Sequence, residues 1–126
     1  MYAEDMDLCL RYQRARWRVT FYPAAEIIHY GGASSGAAPA RFWIEQLRAN
    51  LQYWQKHHGS ASAGVLYLLL LLHHLLRVPA FATLRLIRPQ VLSSPEGDKL
   101  SMNMRALSWL LRPSTLKLLI SRADSR

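Results

Sequence analysis

Three carboxylates stand within four positions near the start of the chain, at Glu4, Asp5 and Asp7. They open a segment whose apolar residues recur at helical spacing, so one interpretation is that they complement the positive end of a helix dipole. The other interpretation is that one carboxylate points from the helix start into a cleft and serves as a general base. The residues alone leave both interpretations open.

His29 is a second candidate for chemistry, because it ends a short apolar segment and precedes a loop rich in glycine and serine. A lone histidine at such a place is usually structural or exposed. Neutral imidazole is, however, also the commonest nitrogen ligand of divalent metals in proteins. The sequence therefore offers His29 as either a structural residue or a metal ligand.

Two histidine pairs, His57-His58 and His73-His74, also suggest metal binding. Adjacent residues on a helix point about 100° apart, so neither pair is arranged to chelate one ion. We interpret the first pair as a helix end and the second as a polar break in an interfacial helix. The single cysteine, Cys9, excludes an internal disulfide and a cysteine-based metal site.

The hydrophobic periodicity predicts a mainly helical chain. The predicted helices cover residues 4–16, 39–57, 61–76 and 100–120, with the amphipathic pattern continuing over 81–87. Pro39 begins the second helix, Gly59 ends it, Arg77 with Pro79 ends the third, and Pro113 breaks the last. Two short strands are predicted between the first two helices, at 17–22 and 26–30.

Positive charge is concentrated in the leucine-rich half of the chain. The net charge is +8, of which residues 1–60 carry +2 and residues 61–126 carry +6. Basic residues among apolar helices are typical of proteins that bind an anionic membrane surface. A nucleic-acid partner would need the same charge, but no nucleic-acid motif is present, so we expect none.

The apolar run of residues 61–76 contains no Asp, Glu, Lys or Arg. A membrane-spanning helix needs about 20 apolar residues, and His73-His74 shortens this run further. We therefore expect an interfacial or re-entrant helix rather than a span.

Residues 1–59 carry an ordered set of motif positions. The set comprises Tyr2-x-Glu4-Asp5-x-Asp7-Leu8, Arg11, Trp17-Arg18-Val19, Tyr22-Pro23, Ala25, Ile28-His29, Gly31-Gly32, Ser34, Tyr53, Lys56-His57 and Gly59. This set resembles the C-terminal part of family 2 glycosyltransferases, in the rhamnosyltransferase-like and galactofuranosyltransferase-like branch that builds bacterial surface polysaccharides. The leucine-rich remainder resembles the membrane-associated tails of such enzymes in composition only.

The resemblance implies a role for five residues. Asp5 matches the catalytic base that removes the acceptor hydroxyl proton, and Glu4 matches its partner, which positions the acceptor. His29 matches a histidine that helps an Asp-x-Asp motif to hold Mn²⁺ or Mg²⁺ on the donor diphosphate. Tyr2 and Trp17 would line the acceptor side, although a core role suits each of them as well.

The resemblance also implies an architecture and a place of action. The fold would be mainly α with a small β element: a C-terminal fragment of a GT-A α/β glycosyltransferase followed by amphipathic, membrane-associated helices. Residues 1–59 would form the acceptor and metal side, and residues 60–126 a basic helical tail. The parent enzyme would transfer a sugar, with inversion, from a nucleotide-sugar donor to a lipid-linked or cell-surface glycan acceptor. It would act at the cytoplasmic face of the bacterial inner membrane.

The sequence departs from the family in its donor half. The only Asp-x-Asp spacing is Asp5-Met6-Asp7, which belongs to the acidic helix start. Met1 stands where the family has chain interior, so we expect a fragment that is inactive alone. The alternative is a small basic membrane-surface or partner-binding helical protein without catalysis. We set aside the Gln13-x-x-Arg16-Trp17 match to processive synthases, because their signature lies well downstream of the catalytic Asp, whereas Gln13 lies only eight positions after Asp5.

Overall fold

The described part of the chain contains four helices. The computed structural model describes residues 2–28, 36, 38–87 and 99–120. The helices are α1 Glu4–Arg14, α2 Pro39–Ile87, α3 Lys99–Leu110 and α4 Pro113–Ile120. Helix accounts for 80% of the described residues. This confirms the predicted mainly helical fold class.

The predicted β element is wrong over the residues that can be compared. Residues 17–28 contain no strand, and their apolar side chains are open to solvent, with Phe21 and Ile27 each 90% exposed. A two-stranded piece has little stability unless a third strand or a helix covers its apolar face. Here the described chain supplies no such cover, so strand propensity alone does not produce a strand. The remaining residues of the second predicted strand, His29 and Tyr30, lie outside the described residues.

Helix α1 has the predicted charge pattern but ends two residues earlier than expected. Acidic residues fill its first turn, and Arg11 and Arg14 occupy its last turn. The helix stops at a turn in which Arg16 adopts a left-handed φ of 63° and the amide of Trp17 donates to the carbonyl of Tyr12 at 2.9 Å. None of its residues is buried. Apolar packing therefore does not hold α1 in place.

Helix α2 reverses direction at Gly59, whose φ of 83° and ψ of 169° are not helical. This backbone conformation is essentially restricted to glycine. Residues 43–50 of the first arm and residues 69–74 of the second arm line one cavity, so the two arms, 39–58 and 60–87, run back along each other. The prediction that Gly59 ends a helix is confirmed as a hairpin turn between two helical arms.

The core lies where the α2 hairpin meets α3. Its buried apolar residues come from both arms and from α3: Leu47, Leu51, Tyr67, Ala106, Trp109 and Leu110. Leu51 and Leu110 are at most 1% exposed, and burial of a leucine side chain contributes about 1.5–3 kcal/mol. The Tyr67 hydroxyl donates to the Leu110 carbonyl at 3.1 Å and satisfies an acceptor at the end of α3.

A turn at residues 111–112 separates α3 from α4, as the proline at position 113 predicts. Pro113 begins α4, where its missing N–H group costs nothing. The Thr115 hydroxyl, which is buried, donates to the Trp109 carbonyl at 2.6 Å. This bond satisfies another carbonyl at the end of α3 and fixes the angle between the two short helices.

The prediction that Arg77 and Pro79 end the helical run is wrong, because α2 continues to Ile87. Proline removes one backbone donor from a helix, which costs stability but does not always end the helix. The Pro79 carbonyl accepts a hydrogen bond from the Thr83 hydroxyl at 2.9 Å. Arg77 also stacks on the Phe81 ring, with its guanidinium 5.0 Å from the ring centroid.

The sequence suggested that His73-His74 forms a polar break in an interfacial helix. For His74 this is wrong, because its side chain is buried. It is 1% exposed, and its Nδ1 lies 2.9 Å from Oδ1 of Asn103 on α3. The amide nitrogen of Asn103 in turn donates to the Lys99 carbonyl at 2.7 Å. His73 remains exposed. The pair is split between the core and the surface because consecutive helical residues point in different directions.

The second arm of α2 is apolar on two opposite sides. Ala63, Tyr67 and His74 recur at helical spacing and face the core. The side chains on the opposite side are about half exposed or more: Val65, Leu68, Leu69, Leu72, Leu75 and Leu76. We call this set the leucine stripe. By length and composition alone, α2 is apolar enough to cross a membrane, and little of its most apolar stretch is buried within the protein.

We predict that Gly59→Ala destabilises the fold by about 1–3 kcal/mol, because alanine at this φ and ψ is strained. The added Cβ would meet no atom within 4 Å, so the backbone conformation alone is responsible. Urea unfolding followed by circular dichroism measures the change.

Gly64→Ala is the matched control. Gly64 lies within the helical second arm, and a Cβ there also meets no atom within 4 Å. Alanine is about 0.5–1 kcal/mol better than glycine inside a helix, so this variant should be more stable than the parent protein. Equal effects of the two substitutions would contradict a hairpin that depends on Gly59.

Candidate functional site at the α1 docking point

Helix α1 is attached to the first arm of α2 through the carboxylate of Asp7. Its Oδ1 atom accepts hydrogen bonds from Lys56 Nζ and His57 Nε2, each at 2.6 Å. Its Oδ2 atom lies 3.0 Å from Nε of Arg11, one turn later on α1. Asp7 therefore joins two segments that are about 50 residues apart in sequence. Both of its carboxylate oxygens are in contact with N–H donors.

The two partners of His57 from α1 indicate which of its ring nitrogens carries the proton. Nη1 of Arg14 lies 2.8 Å from His57 Nδ1, and a guanidinium can only donate hydrogen bonds. Nδ1 is therefore the acceptor, and the ring proton lies on Nε2, where it is donated to Asp7. The side chain of His57 is 2% exposed. Both ring nitrogens are occupied, so His57 is a structural connector rather than a catalytic base.

The electrostatic environment keeps Asp7 ionised. Hydrogen bonds from Lys56 and then from His57, together with the positive charge of Arg11, lower the pKa of Asp7 to about 2. A carboxylate whose ionised form is stabilised to this degree does not accept a proton near neutral pH. Asp7 is consequently unsuited to general base catalysis.

A small cavity lies beneath the start of α1, next to these contacts. Its volume is about 230 Å³, and it is lined by Tyr2, Ala3, Glu4, Asp7, Ala49, Gln52, Tyr53 and Lys56. Phenol, amide, carboxylate and ammonium groups together can hydrogen-bond a hydroxyl-rich ligand. The volume is below the roughly 300–1,000 Å³ of typical small-molecule pockets, so the cavity suits a small ligand.

The two residues expected to perform catalysis occupy different positions relative to this cavity. Glu4 lines it, whereas Asp5 does not. The Asp5 side chain is exposed on α1, and its carboxylate forms no ion pair within the described part of the chain. A carboxylate in this setting is accessible to a ligand that approaches α1 from outside.

The two aromatic residues expected on the acceptor side are also separated. Tyr2 lines the cavity and makes an edge-to-face contact with the Phe42 ring, with centroids 6.4 Å apart. Trp17 lies beyond the end of α1, is 69% exposed and does not line this cavity. The core role suggested for Trp17 is therefore wrong, and of the two residues expected on the acceptor side only Tyr2 lines the cavity with Glu4.

The expected metal ligand His29 lies outside the described residues. Within residues 2–28, 36, 38–87 and 99–120, no group of three or more His, Cys, Asp or Glu side chains is arranged to hold a metal ion. A stable metal site needs several protein ligands. The expected Mn²⁺ or Mg²⁺ site belongs to the intact parent enzyme and stays a prediction.

The docking contact could not be found from the sequence pattern of either segment alone. Lys56 and His57 stand at the end of a predicted helix, and nothing in their spacing indicates which residue they contact. One signal was available: Asp7, Lys56 and His57 are all motif positions of the resemblance to glycosyltransferases. Comparison of the sequence with protein-family models, and of the chain with curated proteins and solved structures, found no match.

We predict that Asp7→Asn detaches α1 from the α2 hairpin. An isolated helix shorter than about 12–15 residues is marginal in water, and α1 has 11 residues, none of which is buried. Amide hydrogen exchange in α1 should therefore rise to the rate of a free peptide, while the amides of α3 keep their protection.

The matched control for this variant is Asp5→Asn, which removes the same charge from the same helix turn but no docking contact. Acid should reproduce the effect of Asp7→Asn. Because the folded pKa of Asp7 lies below its ordinary value of 3.8, docking is complete above about pH 4 and is lost as the pH falls through about 2. Equal exchange in the two variants would refute the role of Asp7.

Proposed function

We propose that this chain is the acceptor-side and membrane-associated part of a family 2 glycosyltransferase of the inverting, GT-A type. The enzyme would transfer a sugar from a nucleotide-sugar donor to a lipid-linked or cell-surface glycan at the cytoplasmic face of the bacterial inner membrane. The only Asp-x-Asp spacing in the 126 residues, Asp5-Met6-Asp7, belongs to the acidic helix start rather than to a donor-binding motif. We therefore expect no transfer by this chain alone.

The observation that supports this proposal is the contact between Asp7 and the Lys56-His57 pair. The acidic motif and the Tyr-Lys-His-Gly segment are far apart in sequence, yet Asp7 accepts hydrogen bonds from both Lys56 and His57 at 2.6 Å. Tyr53 of the same segment lines the cavity under α1 beside Glu4. Motif positions that meet in space and surround a cavity are expected if the motif belongs to one site.

The chemistry divides the three carboxylates of the motif among three tasks. Asp7 anchors the helix and stays ionised near neutral pH. Glu4 lines the cavity and would accept hydrogen bonds from acceptor hydroxyl groups. Asp5 remains accessible, so it is the carboxylate that would remove the proton from the attacking hydroxyl. In the intact parent enzyme, Mn²⁺ or Mg²⁺ would neutralise the charge of the donor diphosphate.

A second function, binding to a membrane surface, is favoured by the leucine stripe. A helix that is apolar on all sides is normally buried or in contact with lipid. The core side of residues 60–87 is covered by the rest of the protein, and the leucine stripe is exposed over more than three helical turns. Contact with a bilayer would remove this apolar surface from water, and the nearby basic residues would favour anionic lipid.

The catalytic proposal is tested with a version of the chain extended upstream in its reading frame to include a donor-binding half. We expect this form to bind nucleotide sugars and to transfer sugar to a lipid-linked acceptor. Asp5→Asn should reduce transfer by about 10²- to 10⁴-fold, because the general base is lost. Radiolabelled product formation measures this reduction.

Glu26→Gln is the control for the catalytic test, since Glu26 is an exposed carboxylate outside α1. It should transfer at the parent rate. Full activity of Asp5→Asn in an extended form that binds donor would remove Asp5 as the base. Absence of donor binding and transfer in the extended form would refute the glycosyltransferase proposal.

The membrane proposal is tested by flotation with vesicles of phosphatidylethanolamine and phosphatidylglycerol. We expect the parent chain to float and Leu68→Glu/Leu72→Glu to partition at least about tenfold less. Each leucine contributes about 1.5–3 kcal/mol on burial, and 1.4 kcal/mol corresponds to a factor of ten. Phe21→Glu/Ile27→Glu, which adds the same charges at exposed positions outside the helices, should float like the parent. Equal flotation of the two double variants would contradict a specific role of the leucine stripe.

A further inference from the structure

The cavity between the two arms of α2 contains polar side chains that neither the docking contact nor the leucine stripe uses. Its volume is about 360 Å³, which lies within the roughly 300–1,000 Å³ of small-molecule sites. We call this cavity the interarm cleft. Its lining residues are Trp43, Gln46, Leu47, Asn50, Leu69, Leu70, His73 and His74.

The side chains that line the interarm cleft suit an uncharged ligand. None of these lining residues is an Asp, Glu, Lys or Arg. Arg77, one turn after His73, lines a neighbouring cavity instead. Its Nη1 atom lies 3.3 Å from Nε2 of His73, and its guanidinium stacks on Phe81. Because a guanidinium only donates hydrogen bonds, Nε2 of His73 is the acceptor and the His73 ring is neutral.

Two side-chain amides give the cleft its hydrogen-bonding capacity. Gln46 and Asn50 lie one turn apart on the first arm, and within the described part of the chain neither amide forms a hydrogen bond. Each amide offers two donors and one acceptor oxygen. Trp43, one turn before Gln46, is 38% exposed and adds an indole ring with one N–H donor. Hydroxyl groups, which both donate and accept, are the partners that match this set.

His74 gives an independent indication of a ligand. The Asn103 amide nitrogen donates to a backbone carbonyl, so Oδ1 of Asn103 accepts from Nδ1 of His74. Burial lowers the pKa of His74, so its ring is neutral and Nε2 is an acceptor. Nε2 is buried and has no hydrogen-bond partner among the described residues. A buried acceptor without a donor costs stability, and a ligand hydroxyl would supply the missing donor.

The position of the cleft indicates that the ligand is part of a lipid. Leu69 lines the cleft and also belongs to the leucine stripe, where it is 58% exposed. If the leucine stripe contacts a bilayer, the cleft leads from that contact to the amides of the first arm and lies at the depth of the lipid headgroups. This step rests on the proposed membrane contact; the hydrogen-bonding groups of the cleft do not.

We propose that the interarm cleft binds the uncharged, hydroxyl-rich headgroup of a lipid, such as a sugar carried on diacylglycerol. The headgroup lies against Trp43, its hydroxyls bond the amides of Gln46 and Asn50, and the acyl chains follow the leucine stripe. The chain thereby selects a membrane lipid by its hydroxyl groups as well as by charge. This site is separate from the cavity beside Glu4.

The experiment is flotation of the full chain with two kinds of vesicle that contain the same fraction of phosphatidylglycerol. In one kind the remaining lipid is phosphatidylethanolamine, and in the other a part of it is replaced by digalactosyldiacylglycerol. We expect the galactolipid to raise the partition of the parent chain at least about fivefold, through hydrogen bonds to the headgroup. Gln46→Ala/Asn50→Ala should abolish this increase but leave binding to the vesicles without galactolipid unchanged.

Gln13→Ala is the matched control for Gln46→Ala, because Gln13 is also exposed on a helix but does not line the cleft. Gln46→Ala alone should lose at least about half of the increase, and Gln13→Ala none of it. Circular dichroism checks that both substitutions leave the helices intact. An equal response of the two variants to the galactolipid would overturn the cleft as the place where the headgroup binds.

A calorimetric titration with methyl β-galactoside in buffer separates a lipid headgroup from a soluble sugar. We expect weak binding that Gln46→Ala/Asn50→Ala removes. Binding of the free galactoside without any preference for galactolipid vesicles would overturn the lipid headgroup in favour of a soluble sugar. Absence of both effects would overturn the cleft as a binding site.

Failure of the membrane contact itself has a different result. The chain would then float with neither kind of vesicle, which refutes both the contact of the leucine stripe and the lipid headgroup. The titration in buffer would still decide whether the cleft binds a hydroxyl-rich molecule, because it does not depend on a bilayer.

Discussion

The reversal of α2 at Gly59 is the constraint on which the rest of the described structure depends. Leu51 precedes it and Tyr67 follows it, and both reach the same core with Leu110 of α3. If the helix ran straight through Gly59, the two arms would point away from each other, and α3 would have no concave surface to pack against. The positive φ of Gly59 therefore converts a long apolar helix into a hairpin. One face of this hairpin packs on the core, and each arm has a second face that points away from the core.

Each arm of the hairpin uses one face for the core and another face for a different contact. On the first arm, positions 49, 52, 53 and 56 form a stripe that receives α1, whereas positions 44, 47 and 51 face the core. On the second arm, the leucine stripe lies opposite the core-facing residues. Spacing of three and four residues produces both separations. A search for a single apolar face on each helix does not detect this arrangement. The first arm has a second face that contacts α1, and the second arm has a second face that is the exposed leucine stripe.

Local signals in the sequence were sufficient for most helix limits and insufficient for contacts between segments. Pro39 and Pro113 begin helices, and Gly59 interrupts one, because each of these residues acts through its own backbone. The predicted strands failed for the opposite reason: a strand needs a partner, and propensity over residues 17–22 cannot supply one. Pro79 failed as a stop signal because a proline removes one hydrogen bond from a helix without always ending it. The Asp7–His57 bond joins positions 50 residues apart, and only the resemblance placed both in one motif.

The polar attachment of α1 and the apolar attachment of α3 give the molecule two regions of different stability. Helix α3 contributes Ala106, Trp109 and Leu110 to the core, so it can be released only with exposure of that core. Helix α1 buries no residue, and it is held by a carboxylate whose contacts form or break without disturbing the hairpin. Local opening of α1 is therefore expected at a smaller free-energy cost than global unfolding. Since Glu4, Asp5 and Tyr2 all lie on or beside α1, the geometry of the cavity depends on the ionisation of Asp7, the one carboxylate of the motif that cannot itself do the chemistry.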